Sequence, residues 1–84
     1  MNVLFTEHGW DDYLYWQKTD VKIVAKINEL IKDILRNPSS GIGKPEYLKN
    51  DLASWLSRRI NLEHRLVYKM ENRSIVIAQC RYHY

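Results

Sequence analysis

His64-Arg65-Leu66-Val67-Tyr68-Lys69-Met70 and Ser74-Ile75-Val76-Ile77-Ala78-Gln79-Cys80-Arg81-Tyr82-His83 are the two stretches whose reading decides the fold. Both are rich in β-branched and aromatic residues, and both predict strands, as does Trp55 to Ile60 just upstream. Even positions carry one apolar face: Leu56 and Ile60, then Leu66, Tyr68 and Met70, then Val76, Ala78, Cys80 and Tyr82. Odd positions carry Ser57, Arg59, Glu63, Arg65, Gln79, Arg81 and His83, with Val67, Ile75 and Ile77 making one end of that second face apolar. A two-residue turn at Asn61-Leu62 would set Ile60 opposite Glu63 and Leu56 opposite Val67, mixing the faces. A three-residue turn over Asn61 to Glu63 keeps them apart, with Ile60 opposite His64 and Arg59 opposite Arg65, and is the expected register. Arg58 violates the scheme and is assigned to an exposed edge.

Working back from these strands, Asn2 to Thr6 reads as a short strand ending on a helix cap, Thr6, with Glu7 at the positive end of the helix that follows. Over Glu7 to Lys18 the large residues Trp10, Tyr13, Leu14 and Trp16 recur at helical spacing, and Thr19-Asp20 caps a second helix. Ile23, Ile27, Leu30, Ile31 and Ile34 give that helix one apolar stripe, and Asn37-Pro38 stops it. These amphipathic helices are expected to pack on the even face of the sheet. Pro38 to Pro45 is a loop by composition. Its Gly41, Gly43 and Lys44 lack the glycine spacing and following Ser/Thr of a nucleotide phosphate loop, so an NTP site is excluded.

The 84 residues form one domain with a modest core. One cysteine rules out an internal disulfide and a cysteine-rich zinc site. Nothing at the amino end reads as a signal peptide or a membrane span, so a cytoplasmic chain without a membrane partner is expected. The net charge is +3 and unevenly placed: residues 1–42 hold 5 Lys/Arg against 6 Asp/Glu, and residues 43–84 hold 8 against 4. The basic half is suited to a polyanion or an acidic partner.

The segment Cys80-Arg81-Tyr82-His83-Tyr84 crowds an arginine, a histidine and two tyrosines together and reads as a working site. His83 shares parity with Arg65, and an imidazole exchanges protons near neutral pH. Adjacent Arg59 and Arg65 repel one another unless an anion lies between them, and a phosphate would fit; pairing with Glu46 or Glu63 is the alternative. Glu46, in a loop or short strand between Lys44 and Lys49, reads either as a general base or as an ordinary surface carboxylate. Tyr84 is a stacking group or a frayed tail. Tyr82 and Cys80 share the apolar parity, so their burial is expected to anchor the segment and aim His83 at the opposite face. His64 reads as a hydrogen-bonded structural histidine, His8 as a surface residue, and Cys80 as buried rather than nucleophilic.

Trp10-Asp11-Asp12-Tyr13-Leu14-Tyr15-Trp16-Gln17, Gly43-Lys44-Pro45-Glu46, Ser57-Arg58-Arg59-Ile60, His64-Arg65-Leu66-Val67-Tyr68 and Cys80-Arg81-Tyr82-His83-Tyr84 in this order resemble the YoeB toxins of the RelE superfamily across essentially the whole chain. Tyr47, Ser54 and Leu56 stand where that family often has proline, glycine and an aromatic residue. The resemblance implies an α+β fold, with two amino-terminal helices on one face of a small, mainly antiparallel sheet and the active site on the other. It implies a type II toxin that cleaves mRNA in the ribosomal A site, without a cofactor or metal. Glu46, Arg65 and His83 would be catalytic with Tyr84 assisting, and Lys49 and Arg59 would contact phosphate. The implied partners are a YefM-type antitoxin, the 70S ribosome with its mRNA, a second copy as a homodimer, and operator DNA for the antitoxin complex. Two other functions fit the same architecture: a non-enzymatic, gyrase-directed toxin of the ParE type, and a nucleic-acid-binding module regulating transcription with its antitoxin.

Overall fold

A computed structural model describes residues 1–83, and Tyr84 lies outside the described residues. The chain runs β1 (Asn2–Phe5), α1 (Glu7–Thr19), α2 (Val21–Arg36), β2 (Glu46–Tyr47), a 3₁₀ turn (Asn50–Leu52), β3 (Leu56–Arg59), β4 (Arg65–Glu71) and β5 (Ser74–Gln79). The five strands form one sheet in the order β1-β5-β4-β3-β2, parallel between β1 and β5 and antiparallel elsewhere. This is the expected α+β architecture.

The helix boundaries follow from their caps. Thr6 Oγ1 accepts the Gly9 amide, opening α1. Asp20 then serves both helices: its own amide closes α1 on Trp16 O, while its carboxylate accepts Lys22 N at 3.0 Å to open α2. Ile27, Leu30 and Ile34 of α2 are fully buried among Leu56, Leu66, Tyr68, Ile75 and Ile77 of the sheet. Helix α1 lies against β5 so closely that a Cβ on Gly9 would stand 2.5 Å from Ile77 O, which reserves that position for glycine.

The β3–β4 register is the one the sequence dictates: Arg59 faces Arg65, and the Ile60 amide donates to His64 O across the Asn61–Glu63 turn. The β4–β5 hairpin closes through Asn72-Arg73, both at positive φ, the requirement of a tight turn matching strand twist.

Two expectations fail in β5. Val67 pairs with Gln79 but Tyr68 pairs with Ile77, so Ala78 is an extra residue in a bulge. The bulge reverses the alternation: Ile75 and Ile77, not Val76 and Ala78, join the core, while Cys80 beyond it is also buried. The strand ends at Gln79 instead of running to His83, and Tyr82, expected in the core, is 53% exposed. The anchor of this segment is the backbone of Cys80. Its amide donates to Asp12 Oδ2 at 3.1 Å and its carbonyl accepts from Trp16 Nε1 at 2.9 Å, both on α1.

Arg58 is also corrected. It is fully buried and organises the loop after α2. Its guanidinium donates to the Asp33 carboxylate at 2.6 Å and to the carbonyls of Asn37, Ser40 and Ile42, while Nε donates to Tyr68 Oη. No buried side-chain polar atom is left unpaired among the described residues. An arginine is well suited here because five rigidly arranged donors can satisfy several carbonyls that would otherwise be stranded.

The hydrogen bond from Arg58, supplemented by the Ile42 amide, holds the Asp33 carboxyl below its ordinary value of 3.8. A depressed carboxyl adds stability that is complete above the unfolded value and is lost as pH falls through the folded one. The gap in melting temperature between wild type and Asp33→Asn is therefore expected to hold constant from neutrality down to mildly acidic pH and to shrink below the unfolded value of 3.8. Acid-range thermal melts of the pair test this, and a gap unchanged down to strong acid would remove Asp33 ionisation from the account.

Candidate active site

The sheet face away from the helices gathers three of the six expected residues, Glu46, Arg59 and Arg65, and pairing accounts for how. Strand β2 sets Glu46 opposite Ser57, and β3 sets Arg59 opposite Arg65, so all four side chains share that face. Arg65 Nη1 lies 3.2 Å from Glu46 Oε1 and 3.2 Å from Ser57 Oγ. The Arg65 side chain is 12% exposed and Glu46 59% exposed, so a largely sheltered cation meets an open carboxylate. The like charges of Arg59 and Arg65 are thus offset by Glu46, the pairing weighed above as the alternative to phosphate. Glu63 instead lies 3.5 Å from His64 Nε2.

Strand β2 owes its place to the loop that Arg58 gathers. Gly43, at φ +79°, ends this loop and its carbonyl accepts the Arg59 amide at 2.7 Å, setting the chain on course for Glu46 three residues later. Beyond β2 an open cleft of about 440 Å³ is lined by Glu46, Tyr47, Leu48, Lys49, Asn50 and Leu52. Lys49 thereby joins the Glu46 side of the site, with its charge in solvent.

His83 is exposed, and its Nε2 lies 3.4 Å from Leu62 O in the β3–β4 turn. The segment carrying it is joined to β4, since the Arg65 amide donates to Tyr82 O at 3.1 Å. His83 and Arg65 are thus neighbours along the backbone, although the imidazole is turned to the hairpin tip. Tyr84, the remaining candidate, lies outside the described residues.

His64 is the structural histidine expected, buried edge-on against Trp16 at 4.7 Å. Burial, with Asp12 nearby, pushes the Cys80 thiol up to about 12, which leaves it inert as a nucleophile. Arg81 points away from the Glu46 cluster, its guanidinium 3.5 Å from the ring centroid of Tyr15 on α1. Sequence reasoning passed over Ser57, which is fully buried beneath Arg65; its parity with Arg59 was the available signal.

Residues 5–84 match the YoeB-like toxins of bacterial type II toxin–antitoxin systems. The chain belongs to this family. The YoeB toxin of Escherichia coli K12 is 60% identical over 84 residues, covering all of both chains. A YoeB/ParE toxin from Agrobacterium tumefaciens, 48% identical and also covered end to end, superposes with a TM-score of 0.96. Staphylococcus aureus YoeB has been solved as a dimer, at 53% identity and TM-score 0.93, and in a heterotetrameric YoeB–YefM complex, at 53% identity and TM-score 0.92; each covers all of this chain and 98% of the other. The Tyr47, Ser54 and Leu56 departures leave the YoeB fold intact: Tyr47 and Ser54 are exposed, and Leu56 fills the core at the start of β3.

Proposed function

We propose that this YoeB-family toxin is a cytoplasmic endoribonuclease that cuts mRNA in the ribosomal A site and is restrained by a YefM-type antitoxin. The single observation that carries the reading is the Glu46–Arg65–Ser57 cluster on the open sheet face, with Arg59 opposite Arg65. A carboxylate, a positioned guanidinium and a nearby histidine are sufficient for phosphodiester transesterification.

Glu46 takes the proton of the ribose 2′-hydroxyl, and that oxygen forms a bond to the adjacent phosphorus. Arg65 leaves Glu46 for the non-bridging oxygens and offsets the charge of the five-coordinate phosphorane. The bond to the 5′-oxygen breaks, and His83 gives that oxygen a proton. His83 must swing from Leu62 O to do so. Tyr84 assists at the same bond, and Lys49 and Arg59 hold flanking phosphates. No step calls for a metal or cofactor.

The products are expected to carry a 2′,3′-cyclic phosphate, or the 3′-phosphate from its hydrolysis, and a 5′-hydroxyl. End-labelling of fragments from purified ribosomes programmed with a defined mRNA tests this, and 5′-phosphate ends would exclude attack by the 2′-oxygen. Lys49→Ala is expected to weaken binding to programmed ribosomes and to flatten its salt dependence, with the rate at saturation retained. An unchanged salt slope would remove Lys49 from phosphate contact.

The heterotetramer and dimer of the S. aureus relative support an antitoxin partner and a homodimer here. A basic carboxy-terminal half suits an acidic antitoxin segment that folds on binding and covers or distorts the site around His83 and Tyr84. The antitoxin complex would then bind operator DNA.

A further inference from the structure

Tyr82 adopts φ +64°, a conformation costly for a bulky aromatic residue and sustained only where the surroundings impose it. The kink turns the chain out of the line of β5 and sends His83 toward the β3–β4 turn. Its ring is 53% exposed, resting on His64 and on Arg81, which donates to Tyr82 Oη at 2.9 Å. The backbone is held from both sides: Tyr82 O accepts the Arg65 amide, and Tyr82 N donates to His64 Nδ1 at 2.7 Å. His64 is itself 7% exposed, seated between Trp16 and the Tyr82 ring, whose centroids lie 4.7 and 5.6 Å away. A backbone amide can only donate, so His64 Nδ1 carries no proton, and the ring is neutral with its hydrogen on Nε2. The Glu63 carboxylate, 3.5 Å from Nε2, favours that tautomer, as a carboxylate beside one ring nitrogen does when the other must accept.

We infer that His64 is a positioning residue for the reaction: its unprotonated Nδ1 holds the Tyr82 amide and with it the kink that docks the backbone leading into His83 against Arg65. The role rests on the endoribonuclease reading above for its consequence, but not for its geometry. His64 touches no substrate and exchanges no proton. Its contribution is to keep His83 within reach of the leaving oxygen, where a misplacement of about 1 Å costs on the order of 100-fold.

The test compares His64→Asn and His64→Leu. Asn places an amide oxygen where Nδ1 stood and retains the acceptor, whereas Leu fills the space without one. Single-turnover cleavage at saturating programmed ribosomes is expected to stay within a few-fold of wild type for Asn and to fall on the order of 100-fold for Leu. Binding to ribosomes should be alike in all three, so that the loss lies in the rate and not in affinity. In parallel, ¹⁵N NMR of the wild-type protein should show His64 Nδ1 unprotonated, and Tyr82 amide exchange should accelerate in the Leu variant and not in the Asn variant. A protonated Nδ1, a Leu variant cleaving at the wild-type rate, or an Asn variant as slow as Leu would each overturn the assignment. If the Leu variant does not fold, the wild-type tautomer and the Asn variant's rate and amide exchange decide. If wild type itself fails to cleave, the endoribonuclease reading falls, while tautomer and amide exchange still decide whether His64 holds the kink.

Discussion

Arg65→Ala is expected to lower the single-turnover cleavage rate at saturating ribosomes by roughly 100- to 1000-fold, the range typical for loss of one donor to a developing oxyanion. The geometry explains why the loss should lie in the rate. Arg65 is nearly enclosed and already joined to Glu46 and Ser57, so it is poorly placed to attract a distant phosphate but well placed to meet one seated over the cluster. Exposed Lys49 is the converse case, a charge in solvent on the wall of the cleft. Excess ribosomes should therefore rescue Lys49→Ala and leave Arg65→Ala slow. Recovery of the full rate by the Arg65 variant at saturation would make it a binding residue and would remove the transition-state role.

Arg58→Met is expected to destabilise the protein by about 3 kcal/mol, the scale reached when several buried polar groups lose their partner together. For a domain of this size that lowers the melting temperature by about 12 to 24 °C. The Asn37, Ser40 and Ile42 carbonyls would lose their donor, and Asp33 its counter-ion. Met fills much of the volume without supplying a hydrogen bond, so the change isolates the polar network from simple cavity formation. Because the same loop delivers Gly43 O to the Arg59 amide and leads into β2, the placement of Glu46 should suffer as well. A thermal melt within a few degrees of wild type would show that the loop holds its shape without the guanidinium.

The β3–β4 register was legible because an error of one residue would put Glu63 and Arg65 on opposite faces from those observed, setting Glu63 on the core face with Leu56 and Ile60 and turning Leu66 and Tyr68 out, and burial of charge is too costly to be tolerated. The α2 stripe was legible for the same reason. The β5 faces were not: alternation assumes one residue per partner, and a bulge that inserts Ala78 violates that assumption without a proline or glycine to announce it. The anomaly was nevertheless visible in Ile75 and Ile77, two apolar residues on the face assigned to solvent. Arg58 carried a similar signal, a charge at core parity, which is unfavourable until carbonyls from a distant loop surround it.

The sequence by itself determined the two helices with their caps, the order of the main strands and the pairing of Arg59 with Arg65, because each depends on neighbours a few residues away. Tertiary structure alone decided what anchors His83 and what holds Glu46. The first depends on Asp12 and Trp16 of α1 gripping the Cys80 backbone and on His64 accepting the Tyr82 amide. The second depends on a buried arginine gathering a loop. In both, one partner is a main-chain amide or carbonyl, which every residue type presents alike, so side-chain identity gives no local sign of which backbone group a distant donor or acceptor will choose.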